Sequence, residues 1–410
     1  MLGRSRTARV DEWMLRRLHQ NIGGPPIRLV LKNRAALTSD TPTVADVIIS
    51  DRRTLGTLLF NPEIGFGEAY TTGRIQVDGD LAAMLETVYA SMSRGNLDNW
   101  YYKLASRWLE KIQANTSRTS RKNIRYHYDL SATFFKLWLD AQMVYTCAYF
   151  THPAATLEEA QVAKMEHVCR KLRLQPGETV VEAGAGWGAL ALHMAKYYGV
   201  KVRAFSISHE QTMYARQRAE EEGLSQQVEF IEDDYRNIAS RYDVFVSVGM
   251  LEHVGPEHFT LLGGVIHRCL GKSGRGLLHF LGRNYPFPLS AWTRKRIFPG
   301  TYAPTLGQVM NIFEPWDFTV TDVENLRLHY ARTLEHWLER FENSAAGISE
   351  MYGPDFVRSW RLFMNGSLAG FRAGTLELFQ VSFVPSASQR LPWTRAHLYA
   401  EEQNAIAVLK

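Results

Sequence analysis

Gly184, Gly186 and Gly188 fall on alternate positions at the end of the segment TVVEAGAGWG, Thr179 to Gly188. In this turn the missing Cβ atoms would let backbone approach a flat, adenosine-like ligand and let a helix start close by. The third glycine follows the second by two positions, whereas the dinucleotide fingerprint G-x-G-x-x-G has three. A pyrophosphate cradle is therefore disfavoured, and a phosphate-free cofactor such as S-adenosylmethionine is favoured. A tight turn without a ligand is the bland alternative, so the flanking sequence has to decide.

The elements that would position this turn are legible as an alternation. Thr179, Val180 and Val181 read as a strand covered on both faces. Ala189 to Lys196 reads as a helix, Lys201 to Ser208 as a second strand and His209 to Glu222 as a second helix stopped by Gly223. Gln227 to Ile231 and Asp243 to Val248 follow as further strands. Repeated βαβ units predict a doubly wound α/β fold with a parallel sheet. At the end of the second strand, where an acidic residue often holds ribose hydroxyls, this chain has Ser206 and Ser208, with Gln211 beyond. Neutral groups would have to do that work. After the third strand, Glu232, Asp233, Asp234 and Tyr235 offer a carboxylate for an adenine amino group and a ring for stacking; a solvated acidic turn is the alternative.

The 410 residues are enough for two domains. The chain is 45% hydrophobic and 22% charged, the balance of a globular protein rather than a disordered or membrane-spanning one. No apolar run reaches the roughly eighteen residues needed to span a bilayer, and no signal-peptide pattern opens the chain. A cytoplasmic location is expected. Three cysteines, Cys147, Cys169 and Cys269, lie far apart, which indicates neither a disulfide framework nor a metal site. The net charge is +5, and its placement is more informative than its size. Arg4, Arg6, Arg9, Arg16 and Arg17 surround Trp13, Met14, Leu15 and Leu18, a basic amphipathic pattern suited to an anionic membrane surface. Over Trp100 to Arg125, seven basic residues, opposed only by Glu110, accompany Trp100, Tyr101, Tyr102 and Trp108. Phospholipid headgroups or nucleic acid could answer that pattern, as could plain solvent; the α/β pattern downstream argues against nucleic acid.

Residues 1–100 read as a small α+β lipid- or membrane-binding domain, with strands at Thr43 to Ile49 and Gly73 to Val77 and a glycine turn at Gly65 and Gly67. Residues 101–122 read as a basic helix and linker, and residues 123–410 as one catalytic domain. The segments ADVIISD and GRIQVDGDLAAML faintly resemble sterol-carrier lipid domains.

A more specific resemblance lies in the aromatic block YHYDLSATFFKLWLDAQMVYTCAYF, Tyr126 to Phe150, taken with VVEAGAGWG, SISHEQ, DDYRNI, SVGMLEHVGPEHF and GLLHFLG. Across residues 123–385, and in the same order, these segments resemble the cyclopropane fatty acid synthase family, which includes the mycolic acid methyltransferases. FGEAYTTGRIQVDGDL is more loosely similar to the N-terminal domain of the phospholipid-acting branch. The resemblance implies a Rossmann-like S-adenosylmethionine-dependent methyltransferase with a smaller N-terminal α+β domain. It implies transfer of a methylene unit to a cis double bond in a phospholipid acyl chain, peripheral association with the inner face of the membrane, and family members that include homodimers.

An unactivated alkene is a poor nucleophile, so the methyl donor must sit in line at about 3 to 3.5 Å, away from water. Attack leaves a carbocation, which aromatic faces can stabilise by about 0.5 to 2 kcal/mol each. Tyr145, Tyr149, Phe150, Phe280 and Trp316 are the candidates, with ordinary core packing the alternative for each ring. A base must then remove a proton to close the ring, and a charged carboxylate next to the cation could be alkylated.

The family is understood to use bound bicarbonate as that base. Its cage falls here on the main-chain groups of Cys147 and Leu281 and on the side chains of Glu252, His279 and Tyr330. The cofactor positions fall on Tyr145, Thr146, Glu182, Gly184, Gly186, Trp187, Gly188, Ser206, Gln211, Asp234 and Tyr235. Ala185, Leu281 and Ser367 depart from the residues usual in the family, and Ser367 argues that a thiol there is dispensable. The Cys147 thiol is read as incidental. A sister methyltransferase giving a methyl-branched, methylene or furan-precursor lipid, and a lipid carrier with a vestigial cofactor site, are the other readings.

Overall fold

The computed structural model, which describes residues 6–37, 42–95 and 130–399, contains two separate sheets. The basic stretch from Lys103 to Arg125, the linker and the start of the aromatic block at Tyr126 lie outside the described residues.

The smaller sheet holds β1 (Arg28–Leu31), β2 (Ala35–Ala36), β3 (Ala45–Ile49) and β4 (Ile75–Gly79) in the order β2-β1-β3-β4. Ala45, Val47 and Ile49 are buried on one face of β3, and the two strands expected in this region are present. Gly65 and Gly67, expected in a turn, instead lie inside the helix Pro62–Thr71, which Asn61 caps through the Ile64 N–H. A Cβ on Gly67 would come within 2.2 Å of the Trp292 ring, so close packing explains the glycine better than a turn does. In the helix Arg6–Asn21, Leu15 and Leu18 are buried, while Arg9, Val10, Trp13, Arg16 and Arg17 form an exposed stripe.

This unit comprises residues 1–111, 288–297 and 334–376. The last two segments fall in the stretch read from sequence as one contiguous catalytic domain. The reason is packing: the helix Pro354–Ala373 lies against the helices Leu81–Gly95 and Pro62–Thr71. Arg358 in it donates to the Tyr70 and Ile75 carbonyls and stacks over the Tyr70 ring at 4.3 Å.

Residues 112–287, 298–333 and 377–410 make up the other unit. Its strands are β5 (Thr179–Ala183), β6 (Lys201–Ser206), β7 (Val228–Glu232), β8 (Tyr242–Val248), β9 (Leu270–Gly282), β10 (Phe318–Asn325) and β11 (Glu377–Pro385). The sheet order is β10-β11-β9-β8-β5-β6-β7, with β11 antiparallel to both its neighbours and the other adjacent pairs parallel. This is the doubly wound Rossmann-like architecture expected. Apolar clusters cover both faces. Val180 and Leu277 belong to one, with the helices Leu157–Leu172 and Ala189–Tyr198; Val181, Ala183, Leu278 and Phe280 belong to the other, with the helices Phe259–Cys269 and Leu306–Phe313. Strand alternation therefore puts Glu182, His279 and Leu281 on the Val180 face.

Candidate active site

The glycine turn follows β5 at the carboxyl end of the parallel strands, where open α/β sheets bind their ligands. Gly184 and Gly186 have φ of +91° and +51°. Both line a pocket together with Tyr145, Thr146, Glu182, Trp187, Ser206, Gln211, Asp234 and Tyr235. Gly188 differs from this group. It caps the helix Ala189–Tyr198, and a Cβ on it would meet Ala215 and the Phe230 ring at 2.8 Å, so this glycine serves packing under the pocket.

Aromatic packing and buried polar contacts hold the pocket wall. Asp140 accepts from the Gln142 and Val144 N–H groups, each at 2.9 Å, which turns the chain into Tyr145. Phe135 packs against both Tyr145 and Trp187, and Tyr214 meets Trp187 edge-on. Gln161 donates to the Thr146 carbonyl at 2.9 Å, and Lys164 to the Thr146 hydroxyl at 3.0 Å. Gln161 and Lys164 were missed in the sequence. Their signal in the sequence is a pair of polar residues three apart among the apolar Leu157, Ala160, Met165 and Val168.

Burial pulls the Lys164 ammonium down to about 8, with Asp140 opposing. Burial likewise pushes Glu182 up to about 8, with Lys164 opposing, and Glu182 Oε2 is buried with no hydrogen-bond partner among the described residues. A cationic ligand beside Glu182 would favour its ionised form. Asp234 accepts from the Arg236 N–H at 3.0 Å and from its guanidinium at 2.9 Å, so part of its capacity is already engaged. The same guanidinium lies 5.1 Å from the Tyr235 ring centre. These residues fit S-adenosylmethionine: a carboxylate for its positive end, and Tyr235, Ser206, Gln211 and Asp234 for its nucleoside.

A second group of polar residues begins at the rim of this pocket. The Gly249 N–H, on the pocket lining, donates to the His279 carbonyl at 2.9 Å. Three residues on, Glu252 Oε1 accepts from the Leu281 N–H at 2.6 Å. Burial pushes the Glu252 carboxyl up to about 7, against the pull of that N–H. Burial, with Lys164, Lys171 and His167 nearby, pulls His279 down to about 3, so its ring is neutral. Glu252 Oε2 and His279 Nε2 are both buried without a hydrogen-bond partner among the described residues.

Cys147 and Tyr330 are linked through one main-chain carbonyl, that of Leu326. The Cys147 thiol donates to the Ala148 carbonyl at 3.1 Å and lies 4.0 Å from the Leu326 carbonyl. The Tyr330 N–H donates to that same carbonyl at 3.2 Å, and the Leu326 N–H bonds to the carbonyl of Leu378, the register partner of Leu281. Ala148 and Phe150 donate to Thr333 Oγ1 and His329 Nδ1, each at 3.0 Å, laying the segment along the helix Arg327–Asn343. Burial holds the Cys147 thiol far above its usual range, so it is no nucleophile.

Two of the aromatic candidates stand elsewhere. Phe280 is fully buried on the face opposite His279, packed on Phe379. Trp316 donates to the Thr260 carbonyl and covers Gly264. Tyr149 is stacked between His167 and His329, at 4.3 and 4.7 Å.

Sheet topology, glycine turn and pocket together define a methyltransferase that uses S-adenosylmethionine. Residues 96–381 match the mycolic acid cyclopropane synthetase family, and the chain belongs to that family. It is 32% identical to a probable fatty acid methyltransferase of Pseudomonas putida over 91% of this chain and 96% of the relative. Identity with the cyclopropane-fatty-acyl-phospholipid synthase of Escherichia coli K12 is 34%, over 86% and 91%. Among solved structures, a mycolic acid cyclopropane synthase complexed with SAH and CTAB matches with a TM-score of 0.62 at 30% identity, covering 64% of this chain and 97% of that one.

Proposed function

We propose that the protein is a cyclopropane-fatty-acyl-phospholipid synthase. It adds a methylene unit to the cis double bond of an unsaturated phospholipid acyl chain at the cytoplasmic face of an anionic membrane. The observation that carries this reading is that Glu252 Oε2 and His279 Nε2 are both buried without a hydrogen-bond partner among the described residues, with His279 linked to the cofactor pocket through Gly249.

S-adenosylmethionine supplies an electrophilic methyl group. Bicarbonate, a small anion that a cation does not readily alkylate, would supply the base, held by the His279 imidazole, the Tyr330 hydroxyl, the Cys147 and Leu281 main chain and the Glu252 carboxyl. A neutral His279 can donate one hydrogen bond without protonating the anion, and Glu252 can accept from a protonated oxygen. The Tyr145 face stands ready beside a developing cation. Burial around Phe135, Trp138 and Tyr145 keeps water from the carbocation.

The exposed stripe Arg9, Val10, Trp13, Arg16 and Arg17 suits anionic headgroups, each basic residue near such a surface contributing about 1 kcal/mol. Exchanging the three arginines for glutamine is expected to weaken binding to phosphatidylglycerol vesicles at low salt and leave the difference small at high salt. Binding that ignores both changes would contradict the electrostatic part.

The second reading, an acyl methyltransferase that leaves a methyl branch, is favoured by the name of the Pseudomonas putida relative. Both share every step up to the cation. Lipids from cells that express the protein and are fed methyl-labelled methionine decide between them: label in cyclopropane methylene protons by NMR supports the synthase, and label in a branch methyl supports the alternative.

A further inference from the structure

In register across the β9–β11 ladder, Gln380 stands opposite His279, and its side-chain amide lies 3.0 Å from His279 Nδ1. Gln380 is fully buried, and the ladder fixes the direction of its side chain. Two hydrogen-bond arrangements satisfy that distance. In one, the amide NH₂ donates to a bare Nδ1, and the ring proton sits on Nε2. In the other, the amide oxygen accepts from Nδ1–H, and Nε2 is bare.

The two leave different groups unsatisfied. The first leaves the Gln380 carbonyl oxygen without a partner among the described residues. The second would bury an NH₂ group in that place, and buried unpaired N–H groups are rarer and costlier than unpaired carbonyls. Lys164, Lys171 and His167 lie near the ring from the helix Leu157–Leu172 and Glu324 from β10, with Glu324 paired to both Lys171 and His167. An anion bound at Nε2, as the proposed function has it, needs a donor there.

We infer that Gln380 is a positioning residue that holds His279 as the neutral Nε2–H tautomer, so that an N–H points at the anion. This rests on the proposed anion-binding role of His279. Gln380 lies 101 residues from His279 in the chain and touches neither cofactor nor substrate in this account.

Long-range ¹H–¹⁵N spectra of histidine-labelled full-length protein, with the His279 signals assigned by difference against His279→Gln, read the tautomer directly. The wild type is expected to carry its proton on Nε2, with Nδ1 bare. Gln380→Leu, close in size and apolar, should give a mixture of tautomers and a turnover about tenfold lower, with the S-adenosylmethionine dissociation constant within about twofold of wild type. Gln380→Glu, which only accepts when ionised, should then place a proton on Nδ1. A wild-type proton on Nδ1, or a tautomer unchanged in both variants, overturns the inference, and the wild-type spectrum decides even if a variant fails to fold. Should the tautomer shift as stated while turnover stays at the wild-type level in Gln380→Leu and in His279→Gln, the positioning stands and the catalytic reading of His279 falls.

Discussion

Leu281 donates its main-chain N–H to Glu252 Oε1 at 2.6 Å, and the other carboxylate oxygen of Glu252 is buried without a partner among the described residues. One oxygen is thus fixed by a strand and the other is left for a ligand. The arrangement has a pH signature. The folded carboxyl titrates near 7, above its ordinary value of 4.5, so the native state binds the proton more tightly than the unfolded state. Stability from this group is fully present below about pH 4.5 and is lost as pH rises towards 7. Glu252→Gln removes that loss. The melting temperature of the variant should therefore gain on wild type between pH 4.5 and pH 8 in paired thermal scans, while turnover falls about a hundredfold or more. A difference in melting temperature that stays flat with pH would show that the carboxyl is not raised.

Tyr330→Phe keeps the ring and removes the hydroxyl. Turnover should fall about a hundredfold, with the dissociation constant for S-adenosylmethionine unchanged in a calorimetric titration. Equal losses in both quantities would move Tyr330 into the cofactor site and out of the proposed cage.

Lys164→Met removes the donor to the Thr146 hydroxyl and the cation that opposes the raised carboxyl of Glu182. Because Thr146 and Glu182 both line the cofactor pocket, the KM for S-adenosylmethionine should rise about tenfold, with kcat changed less than about threefold. An unchanged KM with a large loss of kcat would place Lys164 with the chemistry instead.

Gly186 and Gly188 should separate binding from folding. Around Gly186 a Cβ meets nothing within 4 Å, so Gly186→Ala should cost about 1 kcal/mol of stability through its positive φ and weaken cofactor binding. Gly188→Ala collides with Ala215 and Phe230 and should cost about 1 to 3 kcal/mol or more in denaturant unfolding. Equal stability losses in the two variants would contradict the division of roles.

Local patterns in the chain carried the strand alternation, the glycine turn and the pocket residues around it. These depend on neighbours within a few positions. What the sequence hid depends on distant partners. Lys164 reaches Thr146 across a helix, and Gln380 meets His279 only because β11 pairs with β9. Gly65 and Gly67 suggested a turn because the ring of Trp292, more than 200 residues later, could not be foreseen beside them. Phe280 follows His279 along β9, so strand parity turns its ring to the opposite face of the sheet, away from the proposed cage. The segments 288–297 and 334–376 joined the N-terminal unit through helix packing, which no local period announces.

The central claim is that Glu252, His279 and Tyr330, with the Cys147 and Leu281 main chain, hold a small anion that serves as the base. Turnover of purified protein on vesicles of cis-unsaturated phosphatidylglycerol, in buffer stripped of carbon dioxide and then with bicarbonate restored, tests it most directly. The account predicts that turnover drops on stripping and recovers with bicarbonate in the wild type, with no recovery in Glu252→Gln. Wild-type turnover that is the same with and without bicarbonate would contradict it.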